Sequence, residues 1–163
     1  METHDGSPVI LLAEDDPGHA RLIEINLRDA GVDNEIIWLR DGQHVLDYLG
    51  GSGDAPRRCP GVRYLLLLDL HMPRINGIEV LSWIRRHHTF RRLPVVILTT
   101  TDDPREVDLC HRLGCSMYIT KPVDYDRFAS AMRQLANLLR TMTIPAIPEA
   151  ATPSTACLAG VAG

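Results

Sequence analysis

The stretch Tyr64–Gly77, YLLLLDLHMPRING, joins an uninterrupted apolar run to an acidic residue at its end. An apolar run of this length, bounded by turn-forming residues, is typical of a strand whose two faces are both covered by helices. Asp69 is not needed to form the strand, and the Pro and Gly residues after it indicate a loop. We therefore expect a fully buried strand with Asp69 at its carboxyl end.

The rest of the chain repeats this arrangement, because short apolar runs alternate with segments of helical periodicity. The predicted strands are Val9–Ala13, Glu35–Leu39, Tyr64–Leu68, Val95–Leu98 and Met117–Ile119. The predicted helices lie around Ala20–Ala30, Val45–Leu49, Ile78–Ile84, Pro104–Leu113 and Phe128–Leu139. Five β-α repeats predict an α/β fold with a doubly wound, five-stranded parallel sheet. Right-handed crossovers favour the flavodoxin-like strand order 2-1-3-4-5.

The chain is predicted to form one domain, since 163 residues suffice for a single core. The domain spans residues 7–141 and follows a short extension of residues 1–6. Gly50–Val62, GGSGDAPRRCPGV, is rich in Gly and Pro and indicates a surface loop. Residues 142–163 carry little charge and no periodicity, which is typical of a flexible tail.

Composition and charge narrow the function classes. The net charge of -4 argues against a nucleic-acid-binding module, which would carry a basic excess. The basic residues of Arg85–Arg92 leave DNA binding open as an alternative, but we favour a solvated surface at a helix C-terminus. The sequence has no secretory signal, no membrane span and no C-x-x-C pair. We therefore expect a cytoplasmic protein that binds neither nucleic acid nor a membrane.

Polar residues stand at the carboxyl ends of four predicted strands. They are Glu14, Asp15 and Asp16 after the first strand, Asp69 after the third, Thr99 and Thr100 at the fourth, and Lys121 and Pro122 after the fifth. Ligands of doubly wound sheets bind at this edge, so we expect these side chains to converge. The carboxylates of Asp15, Asp16 and Asp69 would repel one another without a cation, and oxygen ligands without His favour Mg²⁺.

Asp69 is the candidate nucleophile of this site. A carboxylate beside a metal ion and a lysine can attack phosphorus and form an aspartyl phosphate. Lys121 would pair with Asp69 or with a phosphoryl oxygen, and Thr99 would offer a hydroxyl. Simpler roles stay open, because Asp16 can cap the first helix before Pro17 and threonine is common in strands.

In this order and on these elements, the residues resemble the receiver domain of two-component response regulators, over about residues 7–141. Met72-Pro73, Asn76-Gly77, Gly114 and Tyr118 add further matches. The resemblance implies that Asp69 accepts a phosphoryl group from a phosphohistidine of a sensor histidine kinase. It also implies Mg²⁺ as cofactor, bound directly by Asp16, Asp69 and the backbone carbonyl of His71, and by Asp15 through water.

The resemblance implies a switch as well. Thr99, Thr100, Tyr118 and Pro122 would couple phosphorylation to the surface of the fourth helix, fifth strand and fifth helix, while Lys121 contacts the phosphate. His71 stands where many members have Asn or another residue, and its effect on the phosphate lifetime stays open. After Thr141 there is no room for a helix-turn-helix domain, so we expect output through protein contacts.

A narrower resemblance links the chain to the stand-alone regulators of bacterial and cyanobacterial phytochromes. It is carried by LRDGQHVLDYL at residues 39–49, by MPRINGIEVLSWIRRH at residues 72–87 and by residues 93–128. The loop at residues 50–62 fits this subgroup too. The resemblance implies a light-sensing histidine kinase as partner and a homodimer through the last helices.

Three alternatives remain at this level. A haloacid-type aspartyl-phosphate phosphatase also uses a strand-end Asp with Mg²⁺, but it needs an acid where this chain has His71. A flavin carrier on the same fold would have a Ser/Thr/Gly-rich first loop, whereas residues 13–18 read AEDDPG. The third is a receiver fold that acts as a phosphate-independent binding module. We expect no enzyme with an external substrate, only phosphotransfer and autodephosphorylation.

Overall fold

The computed structural model describes residues 6–53 and 56–148, and within them five strands alternate with five helices. The strands are β1 (Val9–Ala13), β2 (Ile36–Leu39), β3 (Tyr64–Leu68), β4 (Val95–Thr99) and β5 (Met117–Thr120). The helices are α1 (Pro17–Asp29), α2 (Gly42–Gly50), α3 (Gly77–Arg86), α4 (Pro104–Arg112) and α5 (Tyr125–Thr141). None of these helices has the length and hydropathy that a bilayer span requires.

The strands form one parallel sheet in the order β2-β1-β3-β4-β5, which confirms the predicted doubly wound topology. β3 lies between β1 and β4, and every residue of these three strands is buried. The carboxyl ends of all five strands meet at one edge of the sheet. That edge collects the polar residues that follow β1, β3, β4 and β5.

Helices cover both faces of the sheet, so β3 contributes to two cores. Leu66 and Leu68 pack with α2 and α3, while Leu65 and Leu67 pack on the other face with α1 and α5. A fully buried leucine stabilises the fold by about 1.5–3 kcal/mol. The alternation along β3 explains why its apolar run has no polar break.

Two glycines allow close packing beside the carboxyl edge. A Cβ atom on Gly77 would collide with the carbonyl oxygen of Asp69, and one on Gly42 would collide with the carbonyl oxygen of Ile75. Gly42, the first residue of α2, therefore packs directly against Ile75 in the loop between β3 and α3. This contact leaves that loop little room to move.

The segment after α5 packs against the domain. Ile144 joins the core beside α1 and α5, and Ile147 joins the core on the opposite face. Between them, Ala146 forms an antiparallel bridge with Arg63, next to β3. This differs from the flexible tail predicted from residue 142, because the two isoleucines find apolar surface. The predictions for residues 1–5, 54–55 and 149–163 lie outside the described residues.

Candidate functional site

Three carboxylates gather at the carboxyl edge of the sheet. The N–H of Glu14 donates to the carbonyl of Leu39 at 3.1 Å, and the N–H of Asp69 donates to that of Ala13 at 3.0 Å. Strands β1 and β3 therefore end side by side at this edge of the sheet. As a result, carboxylate oxygens of Glu14, Asp15 and Asp69 all lie within 4.8 Å of one another. Glu14 and Asp69 are buried, whereas Asp15 is exposed.

Lys121 supplies the positive charge of this cluster. Its Nζ donates to Glu14 Oε2 and, at 3.1 Å, to Asp69 Oδ2, and its side chain is only 6% exposed. The N–H of Lys121 also donates to the carbonyl of Thr99 at 2.7 Å, which ties the end of β5 to β4. The structure thus brings together Asp69 and Lys121, as the sequence predicted. One ammonium group faces three carboxylates, so the cluster can accommodate a further cation.

Glu14 was expected at this edge of the sheet, but no role in metal binding or phosphotransfer was predicted for it. Burial raises the pKa of its carboxyl, and the hydrogen bond and charge of Lys121 offset only part of this rise. The backbone carbonyl oxygen of Glu14 accepts a hydrogen bond from the indole N–H of Trp38 at 2.7 Å. The available signal was its position, since Glu14 directly continues a fully buried strand.

Asp16 lies outside the group formed by Glu14, Asp15 and Asp69. Its Oδ1 accepts a hydrogen bond from the N–H of His19 at 2.8 Å and so caps the start of α1. This hydrogen bond lowers the pKa of the Asp16 carboxyl. Capping is therefore the role that the geometry assigns to Asp16, and its role as a metal ligand stays a prediction.

The loop after Asp69 reaches toward α4. The N–H of His71 donates to Asp69 Oδ1 at 3.3 Å. The imidazole Nε2 of His71 lies 3.5 Å from Glu106 Oε2 on α4. His71 therefore joins the acidic cluster through its main chain, while its side chain contacts a different element.

The predicted switch residues lie on β4 and β5 or directly after these strands. Thr99 is fully buried, and its hydroxyl oxygen has no hydrogen-bond partner within the described part of the chain. The hydroxyl of Tyr118 donates to the carbonyl of Thr101 at 2.9 Å, and burial raises the pKa of Tyr118 to about 12. Thr100 and Pro122 line a cavity of about 310 Å³ between α1 and α5.

The donor set determines what the cluster can do chemically. The three grouped ligands are all carboxylates, and such sites suit hard divalent cations such as Mg²⁺. The imidazole Nδ1 of His19 lies 3.9 Å from Glu14 Oε1, at the margin of this group. Asp69 has one oxygen 3.1 Å from an ammonium group, a geometry that suits a nucleophilic carboxylate. The residues present therefore fit a divalent cation and a phosphoryl group.

Comparison with known proteins shows the family of this chain. The sequence model of the response regulator receiver domain matches residues 10–133. The chain is 34% identical over 142 residues to the response regulator Rcp1 of Synechocystis, covering 85% of this chain and 93% of Rcp1. A Mn²⁺-bound form of Rcp1 is among the similar solved structures, with a TM-score of 0.75.

Two further solved structures are similar. A response regulator receiver domain from Rhodospirillum rubrum has a TM-score of 0.80 and 49% identity, covering 86% of this chain and 99% of that chain. The phosphorylated cyanobacterial phytochrome response regulator RcpA has a TM-score of 0.75 and 32% identity, with coverage of 85% and 99%.

Proposed function

Because the chain belongs to the response regulator receiver domain family, we propose that it is a phospho-accepting switch whose acceptor is Asp69. The observation that carries this proposal is the buried contact of 3.1 Å between Asp69 Oδ2 and Lys121 Nζ. The ammonium group can balance charge on the carboxylate before transfer and on a phosphoryl oxygen afterwards. An isolated loop carboxylate would offer neither function.

The proposed step is a transfer from phosphohistidine. A carboxylate oxygen of Asp69 attacks phosphorus, the P–N bond breaks, and its electron pair leaves with the imidazole of the donor. The product is an acyl phosphate on Asp69. Later attack by water on the acyl phosphate breaks the P–O bond, returns the carboxylate and releases inorganic phosphate.

We propose Asp15 and Asp69 as the carboxylate ligands of Mg²⁺. Both belong to the cluster that they form with Glu14. Lys121 Nζ donates to Glu14 and to Asp69, but the Glu14 side chain is the more deeply buried, at 1% exposed against 10% for Asp69. The backbone carbonyl of His71 is the third proposed ligand. When bound, the ion neutralises charge on the transferring phosphoryl group. The Mn²⁺-bound form of Rcp1 supports this proposal.

The proposed response begins at the buried hydroxyl of Thr99, which has no partner within the described residues. A phosphoryl oxygen on Asp69 would accept a hydrogen bond from this hydroxyl, and β4 would shift as Thr99 moves toward it. The shift would change the position of the Tyr118 side chain on the surface formed by α4, β5 and α5. Thr100 and Pro122 would follow this shift. Dimerisation through α5 is a further proposal, consistent with the partly exposed Leu138.

The proposed partner is a cytoplasmic sensor histidine kinase of the phytochrome type. The support comes from relatives, since similar structures include a bacteriophytochrome response regulator with 38% identity and a TM-score of 0.67. Phosphotransfer from a purified bacteriophytochrome kinase, compared with an unrelated histidine kinase, tests the choice of partner. Equal transfer from both kinases would remove the support for a phytochrome partner.

The experiment for the acceptor is intact-protein mass after incubation with Mg²⁺ and acetyl phosphate. We expect one added phosphoryl group in the wild type, none in Asp69→Asn, and none when EDTA is present from the start. A histidine kinase replaces acetyl phosphate if the small donor fails. Labelling of Asp69→Asn would refute the assignment of the acceptor.

A matched pair of variants separates the ligand and capping roles of adjacent acids. Asn caps helices as well as Asp does, so Asp16→Asn keeps the cap of α1 while removing the charge. We expect Asp15→Asn to weaken labelling strongly and Asp16→Asn to leave it close to wild type. The reverse order would restore Asp16 as the direct metal ligand.

A further inference from the structure

The loop between β3 and α3 contains a residue in a disfavoured conformation. Arg74 has φ of 67°, and it is the one non-glycine residue with positive φ in residues 6–53 and 56–148. Side chains with a Cβ atom rarely adopt the left-handed region, and such residues persist only where their surroundings hold them. The contacts of Arg74 should therefore show what holds it.

Arg74 is held by an ion pair with Asp41, the residue that caps α2. The guanidinium NH2 group of Arg74 donates to Asp41 Oδ2, and Asp41 Oδ1 accepts from the N–H of His44 at 2.8 Å. Burial alone would raise the pKa of the Asp41 carboxyl, but these hydrogen bonds lower it overall. Asp41 is thus a well-ionised partner, with a side chain only 12% exposed.

The backbone connects this ion pair to the acidic cluster. Gly42, the neighbour of Asp41, touches the carbonyl of Ile75, and Gly77 touches the carbonyl of Asp69. The N–H of Gly77 donates to the carbonyl of Leu70 at 2.9 Å, which closes the loop across its base. Because the loop is closely packed at both glycines, a change of backbone conformation at position 74 should also displace the backbone of residues 69–71.

We propose that Arg74 and Asp41 position the acceptor loop for metal binding. Their ion pair holds the left-handed turn at Arg74 and thereby sets the main chain of His71 and the carboxylate of Asp69. Arg74 touches no reacting atom, so it is a positioning residue. This inference rests on the proposed function and adds two residues that act on the same site from outside it.

A purely structural role predicts a different result. The side chain of Arg74 is 65% exposed, and ion pairs of exposed side chains contribute little to folding stability. Residues that orient metal ligands, in contrast, commonly change metal affinity 10–100-fold when they are replaced. Metal affinity and thermal stability therefore separate the two roles.

Mg²⁺ affinity can be measured through the fluorescence of Trp38, because its indole donates a hydrogen bond to the backbone carbonyl of Glu14 at 2.7 Å. All variants carry Trp83→Phe, so that Trp38 is the reporting indole. We expect Arg74→Ala and Asp41→Asn to raise the dissociation constant of Mg²⁺ about tenfold. Arg74→Lys keeps the charge and should recover most of the affinity.

Two further variants sharpen the result. Arg74→Gly removes the ion pair but also relieves the left-handed strain, so Mg²⁺ affinity should stay low even if thermal stability rises. Arg112→Ala breaks the exposed pair with Asp108 on α4 and should change neither quantity. Labelling by acetyl phosphate should slow in Arg74→Ala at limiting Mg²⁺ and recover at saturating Mg²⁺.

The outcomes distinguish this inference from the proposed function. If the wild type is labelled on Asp69 but Arg74→Ala and Asp41→Asn bind Mg²⁺ normally, the positioning role is overturned and the acceptor assignment stands. If the wild type binds no Mg²⁺ and accepts no phosphoryl group from any donor, both are overturned. If Arg74→Ala does not fold, Arg74→Gly and the cap-retaining Asp41→Asn decide the question.

Discussion

Replacing Lys121 with Met should destabilise the protein far more than replacing a surface cation. The side chains of Lys121, Glu14 and Asp69 are 6%, 1% and 10% exposed, so the substitution leaves two buried carboxylates without their cation. Breaking a buried ion pair by removing one partner costs about 3–5 kcal/mol. Met keeps most of the side-chain volume, so the lost charge dominates the effect.

The pair of Arg112 and Asp108 provides the matched control. Their side chains are 69% and 66% exposed at an N–O distance of 3.0 Å. A helical surface pair of this kind contributes about 0.3–0.5 kcal/mol. Arg112→Met should therefore cost roughly one tenth as much as Lys121→Met.

The loss in Lys121→Met should depend on pH and on Mg²⁺. Burial already raises the pKa of Glu14, and removal of Lys121 takes away the strongest opposing influence. A carboxyl whose pKa is higher in the folded state than in the unfolded state favours folding at low pH. That contribution is lost as pH rises through the folded-state pKa, so the variant should regain stability in mild acid. Bound Mg²⁺ should also stabilise the variant more than the wild type.

Urea unfolding at mildly acidic and at neutral pH, with Mg²⁺ or with EDTA, measures all three effects. Glu14→Gln combined with Lys121→Met removes one acid together with the cation, and it should recover part of the lost stability. A cost below about 1 kcal/mol for Lys121→Met, similar to that of Arg112→Met, would refute the interpretation. It would mean that the cluster is solvated despite its burial.

Two smaller predictions follow from buried residues outside the acidic cluster. Ile147→Ala should lower the free energy of unfolding, measured in urea, by about 2–5 kcal/mol, because Ile147 is only 4% exposed and lies in the core. An effect below about 0.5 kcal/mol would show that the segment after α5 is detached in solution. Thr99→Val should leave stability unchanged or raise it by up to about 1 kcal/mol, because its hydroxyl has no partner within the described residues. The same variant should still be labelled on Asp69 but show a smaller shift of the Tyr118 ring signals in NMR spectra, and a full-sized shift would remove Thr99 from the switch.

The fold could be predicted from sequence because its signal is local. Each strand of the sheet interior reads as a continuous apolar run, and four of the five helices show a buried stripe, whereas α4 buries only Cys110. The differences in the strands are confined to their ends, where β2 starts at Ile36 instead of Glu35, β4 continues to Thr99 and β5 continues to Thr120. At such ends the last residue depends on hydrogen bonds to a neighbouring strand, which the sequence does not display.

The packing of the segment after α5 could not be predicted for a related reason. Ile144 and Ile147 are two apolar residues among Pro, Ala and Thr, and their spacing completes neither a helical nor a strand pattern. Ile144 and Ile147 are buried against the two cores, on either side of the bridge between Arg63 and Ala146. This apolar surface exists only after the sheet has formed. Composition described the segment correctly as irregular but gave no measure of the surface available to it.

The assignment of the three consecutive acids depends on where β1 ends and α1 begins. Glu14 still donates its N–H to Leu39 as a strand residue would, so its side chain stays with the sheet edge and meets Lys121. Asp16 has φ of -85° and ψ of 116°, the extended conformation of a helix cap, and Pro17 follows as the first helical residue. The pattern Asp-Pro before a helical stripe is itself a capping signal. With Asp16 in the cap, Glu14 and Asp15 remain for the cluster with Asp69, one residue earlier than the pair Asp15 and Asp16.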